Sequence, residues 1–86
     1  MLEEVWERIK EFEGKEFRQI RGGEFHYKVN GNVLELSRTN QSISKSTLKE
    51  ALLHVPLKNT TSLQKLRAPS YLFAILMDNR IRLSDW

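Results

Sequence analysis

The chain has no cysteine, only two histidines, two prolines and four glycines, and no long apolar run. Without cysteine there is no disulfide and no thiolate metal site, and the composition leans toward a reducing, intracellular compartment. The longest apolar run, between Tyr71 and Met77, is far short of the roughly 20 residues that span a bilayer. No membrane association is expected. The first residues, Met-Leu-Glu-Glu-Val-Trp-Glu, are acidic and amphipathic, where a secretory signal is basic and then continuously apolar. A cytoplasmic location is the expectation.

What is present fits one small globular domain. The 86 residues are 40% hydrophobic and 29% charged, a composition of neither disorder nor membrane insertion. The net charge is +3, unevenly spread. Residues 1–16 hold six acids and three bases, a net of −3; residues 17–86 hold eleven bases and five acids, a net of +6. A basic body behind an acidic first segment is compatible with a polyanionic partner, though ordinary solubilising charge gives the same totals.

Leu2, Val5, Trp6, Ile9 and Phe12 recur at helical spacing and predict a first amphipathic helix that ends near Gly14. Residues 17–21 read as a strand, Gly22-Gly23 as a turn, and residues 24–29 and 32–37 as the arms of a hairpin about Asn30-Gly31. A type I′ turn there pairs Val29 with Asn32, Tyr27 with Leu34 and Phe25 with Leu36. Phe25, Tyr27, Val29, Leu34 and Leu36 then share the core face, with His26 opposite Glu35 outside.

A polar loop, 37–44, leads to a second helix that is capped by Ser44, stapled by Ile43 and Leu48, and stopped at Val55 by Pro56. A second polar connection, 57–61, precedes a short helix over 62–67 capped by Thr61. Ser70 caps a third helix over 71–78 that is apolar nearly all round. Asn79 reads as its left-handed cap and residues 80–83 as an edge strand. The predicted fold is α+β in the order α-β-β-β-α-α-α-β, a small antiparallel three-stranded sheet with helices on one face.

No catalytic constellation stands out. His26 and His54 lack a companion at metal-ligand spacing, and no serine sits in a Gly-x-Ser-x-Gly elbow. The acids of the body form no adjacent pair for general acid–base work. Gly22-Gly23 matches neither a P-loop nor a dinucleotide fingerprint. The chain is therefore read as non-enzymatic, with no cofactor and no metal.

Two binding readings remain. In the first, DNA or RNA is gripped by the polar loops. Arg38, Asn40, Gln41 and Lys45 of one loop, and Lys58, Asn59, Thr60, Lys65 and Arg67 around the other, are donors suited to phosphates and sugars. The same side chains also suit plain turns and caps, so the reading depends on whether Arg21, Arg38, Lys45, Lys58, Lys65 and Arg67 converge. A helix-turn-helix is disfavoured, because the last long helix has almost no polar side chains for base edges. The second reading is a protein-interaction or regulatory subunit, homodimeric through the apolar surface between Tyr71 and Met77, without nucleic acid.

Overall fold

The computed structural model describes every residue from Met1 to Trp86. Helix α1 (Leu2–Glu11) turns Val5, Trp6 and Ile9 inward, as its stripe predicts. Two short strands follow, β1 (Phe17–Arg18) and β2 (Glu24–Phe25), paired as a small ribbon. The main sheet is antiparallel, in the order β3-β4-β5: β3 (Tyr27–Asn30), β4 (Val33–Leu36) and β5 (Ser42–Ser44). Helix α2 (Lys45–Ala51) leads into a single 3₁₀ turn, Leu52–His54. A second such turn, Thr61–Leu63, precedes α3 (Pro69–Leu76) and the four-residue α4 (Asn79–Arg82). The fold is α+β with a three-stranded antiparallel sheet, and no helix is long and apolar enough to cross a membrane.

The hairpin differs from its predicted register by one residue at the turn. Asn30 pairs with Val33, Val29 with Leu34 and Tyr27 with Leu36. Gly31 and Asn32 form the loop, and only Gly31 has a positive φ, +62°. Gly at the first central position with a normal φ at the second is the pattern of a II′ turn, whereas I′ needs both positive. Moving the turn by one residue slides the pairing by two, and a two-residue slide keeps every side chain on its own face. Phe25, Tyr27, Leu34 and Leu36 are therefore buried as expected, with Val29 half-buried. The predicted His26–Glu35 pair does not form. Glu35 faces Lys28, and His26 exchanges hydrogen bonds with Ser37 through its backbone.

Other departures are local. The predicted strand 24–29 breaks at His26, so its first two residues pair with β1 instead. The polar loop 37–44 contributes β5, because Ser42-Ile43-Ser44 alternates and plants Ile43 in the core. Ser44 caps α2, accepting from the Thr47 amide at 3.1 Å, but the α-helix ends at Ala51 rather than Val55. The short helix expected over 62–67 is only one 3₁₀ turn, Thr61–Leu63, with Thr61 inside it rather than capping it. Ser70 lies inside α3, whose cap position is Ala68 at φ +54°. Residues 80–83 are not a strand: Asp78 accepts from the Arg80 amide at 2.9 Å and starts α4, with Asn79 its first residue.

One core joins these elements. Val5, Trp6 and Ile9 of α1, the inward sheet face, Leu48, Leu63, and Leu72, Ile75 and Leu76 of α3 form a single buried cluster. Helix α3 buries Leu72, Ala74, Ile75 and Leu76 inside the chain. Tyr71 meets Phe25 edge-on at 4.8 Å, and Phe73 and Met77 are half-buried. The trailing turn of α1 covers the open edge of β3, where Gly14 donates to the Tyr27 carbonyl at 3.0 Å and Val29 donates to the Glu13 carboxylate at 3.2 Å. A covered edge cannot recruit a further strand.

Candidate nucleic-acid interface

The β1–β2 ribbon ends in a tight turn that presents Ile20 and Arg21. Gly22 donates to the Gln19 carbonyl at 2.8 Å, and Gln19 donates back to the Gly23 carbonyl at 2.8 Å. The Gln19 side chain ties the turn to the start of α3 by donating to Ser70 Oγ at 2.9 Å. The Arg38 and Gln19 side-chain ends close over Gly23: a Cβ built there lies 2.6 Å from an Arg38 guanidinium nitrogen and 2.8 Å from Gln19 Oε1, and would displace both. Arg38 itself donates to the Glu24 carbonyl at 3.4 Å. The first polar loop thus sends its arginine to the flank of this turn.

The second polar loop meets the same turn from the other side. Gln19, Ile20, Arg21, Asn59, Thr60 and Ser70 line a cleft of about 480 Å³ with no acidic side chain in its wall. Its loop is internally braced. Thr61 donates to Asn59 Oδ1 at 2.8 Å, and Gln64 Nε2 donates to Thr60 Oγ1 at 3.2 Å. These bonds leave the Asn59 side-chain NH₂ and Oε1 of the Gln19 side chain without a partner in the chain.

Charge is distributed to match. Between Leu36 and Met77 the bases are Arg38, Lys45, Lys49, Lys58, Lys65 and Arg67, and Glu50 is the lone acid. Arg21 in the cleft wall makes no salt bridge, nor do Arg38, Lys58, Lys65 and Arg67 of the two polar loops and the segment before α3, whereas Arg18 on β1 faces Glu24 across the ribbon at 3.0 Å.

The predicted donors therefore divide. Asn59 and Thr60 line the cleft, and Arg38 stands beside its turn. Lys58, Lys65 and Arg67 are exposed on the segment that carries Asn59 and Thr60 into α3. Lys45 sits elsewhere, paired with Glu3 of α1 at 3.0 Å and lying over the Trp6 ring at 5.7 Å. Asn40 and Gln41 are exposed in the turn before β5, where the Gln41 amide donates to Thr39 Oγ1. Gln19 and Ile20 went unnoticed in the sequence, and Arg21 counted only as one of several bases, because a strand over 17–21 buries alternate residues and leaves none of them special. The signal that marks them is the Gly22-Gly23 doublet, which forces the chain to turn just after an unpaired arginine.

A second cleft of about 390 Å³, with more apolar residues in its wall, shares Ile20 with the first. Ile20, Phe73, Ala74 and Met77 line it, with Arg18, Asp78 and Asn79 at its rim. Burial works against the Asp78 charge, but hydrogen bonds from the Arg80 side chain and backbone outweigh it and hold the carboxyl below its ordinary range. Arg80 also donates to the Glu16 carbonyl and stacks on Phe17 at 4.2 Å. The Asp78 charge is thereby neutralised inside the fold. The histidines stand apart from both clefts, and no three His, Cys, Asp or Glu side chains gather in a metal-binding arrangement.

Set against protein-family models, curated proteins and solved structures, the chain matches none of them.

Proposed function

We propose that the chain is a non-enzymatic nucleic-acid-binding module whose contact surface centres on the cleft between the β1–β2 turn, the 57–61 connection and the start of α3. The observation that carries this reading is Arg21, free of any salt bridge, in a cleft walled by amides and hydroxyls with no acid in it, together with the equally unpaired Arg38 against the flank of the same turn. Free guanidinium groups beside amide and hydroxyl donors are the equipment of phosphate and sugar contact. The acidic α1 contributes nothing to this cleft, so the −3 charge of residues 1–16 need not oppose a polyanion there. A cytoplasmic site of action goes with the reading. The alternative, a protein-interaction subunit closed on a second copy, is less favoured because Leu72, Ala74, Ile75 and Leu76 of α3 are buried in its own chain, leaving only Tyr71, Phe73 and Met77 partly exposed.

The test is binding to a 20-nucleotide oligonucleotide, followed by fluorescence anisotropy in 50 and 200 mM salt. Three phosphates neutralised by Arg21, Arg38 and Lys58 give a log–log slope between about −2.1 and about −2.7, a loss of roughly 20- to 40-fold across that range. Absence of binding at 50 mM salt, or an affinity indifferent to salt, refutes the proposal. Lys45→Ala serves as the internal control. Its charge is held by Glu3, so it should change the affinity less than twofold.

A further inference from the structure

Two clefts of different chemistry meet at one residue. Ile20 borders both, and its side chain is 64% exposed at the tip of a turn closed by two 2.8 Å hydrogen bonds. On one side lie Arg21, Asn59 and Thr60; on the other lie Phe73, Ala74 and Met77. A nucleotide has the same division, a charged sugar-phosphate joined to a flat apolar base. In a duplex the base is stacked and paired, and only an unpaired strand can turn it outward onto a protein surface.

We infer that this pair of clefts binds an unpaired RNA nucleotide, its phosphate on Arg21, its ribose between Gln19 and Asn59, and its base under Ile20 against Phe73 and Met77. The inference rests on the nucleic-acid reading above and sharpens it to a single strand of RNA. The ribose assignment follows from what the turn and the braced loop leave open: one acceptor, Oε1 of the Gln19 side chain, and one donor, the Asn59 side-chain NH₂. A 2′-hydroxyl both donates and accepts, and so satisfies the two together. The exposed Asn79 amide at the rim of the apolar cleft is placed to meet the base edge. Asp78 beside it is already committed to Arg80 through both oxygens.

The experiment compares a 12-nucleotide RNA, its duplex with a complementary strand, and the DNA of the same sequence, against wild type, Ile20→Ser and Arg21→Ala at several salt concentrations. The single-stranded RNA should bind about tenfold more tightly than the duplex, the worth of one stacked base. It should also bind more tightly than the DNA. Because Ile20 is exposed, Ile20→Ser should leave the melting temperature unchanged and weaken binding about fivefold with the salt slope intact. Arg21→Ala should instead make the slope shallower by about 0.7. Equal binding of strand and duplex, or an Ile20→Ser protein that binds like wild type, overturns the base cleft while the electrostatic surface stands. Equal binding of RNA and DNA overturns the ribose assignment. If neither strand nor duplex binds at low salt, both this inference and the nucleic-acid reading fall.

Discussion

Tyr27→Ala is expected to lower the free energy of unfolding by about 3–5 kcal/mol, and Tyr27→Phe by about 1–3 kcal/mol. The difference between the two variants separates ring from hydroxyl. The ring is wholly buried, 5.3 Å from Phe17 across the sheet–ribbon junction, and its loss leaves a cavity where three elements meet. The hydroxyl donates to the Ile9 carbonyl at 2.7 Å. That carbonyl belongs to the last turn of α1, where a helix leaves its final C=O groups without intrahelical partners. The Glu13 amide that lies four residues on turns to Lys10 instead. Tyr27 thus caps α1 from inside the core, and Phe at this position strands a buried acceptor. A domain of this size typically shifts its melting temperature by about 4–8 °C per kcal/mol, so Tyr27→Ala should melt roughly 15–30 °C lower.

The same hydroxyl sets a pH dependence. Burial raises the Tyr27 pKa above its ordinary value of 10.0, a shift partly offset by Arg80. The unfolded chain therefore loses this proton first. The stabilisation is fully present below the unfolded pKa and is lost as pH rises beyond it. Thermal melts of wild type should fall off above about pH 10 more steeply than those of Tyr27→Phe.

The triple variant Arg21→Ala, Arg38→Ala, Lys58→Ala is expected to lose about 100-fold in oligonucleotide affinity at 50 mM salt, with most of the salt dependence gone. Each side chain is free of acidic partners, so its charge is available to a phosphate rather than spent in the fold. Stability should change little, because Arg21 and Lys58 are exposed and Arg38 contributes one long bond, 3.4 Å, to the Glu24 carbonyl. A control triple on the opposite charge logic, Lys45→Ala with Lys10→Ala and Arg8→Ala, removes cations already matched to Glu3, Glu7 and Asp85, outside both clefts. It should cost less than threefold. Equal losses from the two triples would mean that net charge, not the cleft, governs binding.

The parts of the fold legible in the sequence are those with a long period or a strong cap. Helix α1 shows five apolar positions at helical spacing, and Ser44 caps α2 as its neighbours Ile43 and Leu48 require. The sheet faces were readable even with the turn misplaced by one residue, because the two readings differ by an even slide. Short elements carried no such redundancy. Ser42-Ile43-Ser44 has one apolar residue, and only its pairing with β4 makes it a strand. Arg80-Ile81-Arg82-Leu83 alternates in sequence, yet four residues cannot separate a period of 2 from one of 3.6. Asp78 as an N-cap, with Ile81 inward and Arg8 donating to the Ile81 carbonyl at 2.9 Å, decides for a helix.

The site was half legible for a related reason. Asn59, Thr60 and Arg38 announce themselves as polar loop residues, but loop composition carries no distance. Gln19 and Arg21 join them only through the Gln19–Ser70 bond and the space at Gly23, contacts between residues as far apart in the chain as 51 positions. Lys45 has the same sequence chemistry as Lys58, and the fold separates them by giving Lys45 to Glu3.

The most direct test of the nucleic-acid reading is to titrate a ¹⁵N-labelled sample of the whole chain with a single-stranded RNA 12-mer and follow the backbone amides. The amides of Gln19 to Gly23, Asn59 to Thr61 and Ser70 should move together, in proportion to occupancy and less at higher salt, while Glu3, Glu7 and Lys45 stay still. An unchanged spectrum at 50 mM salt, or shifts centred on α1 and Lys45, would contradict it.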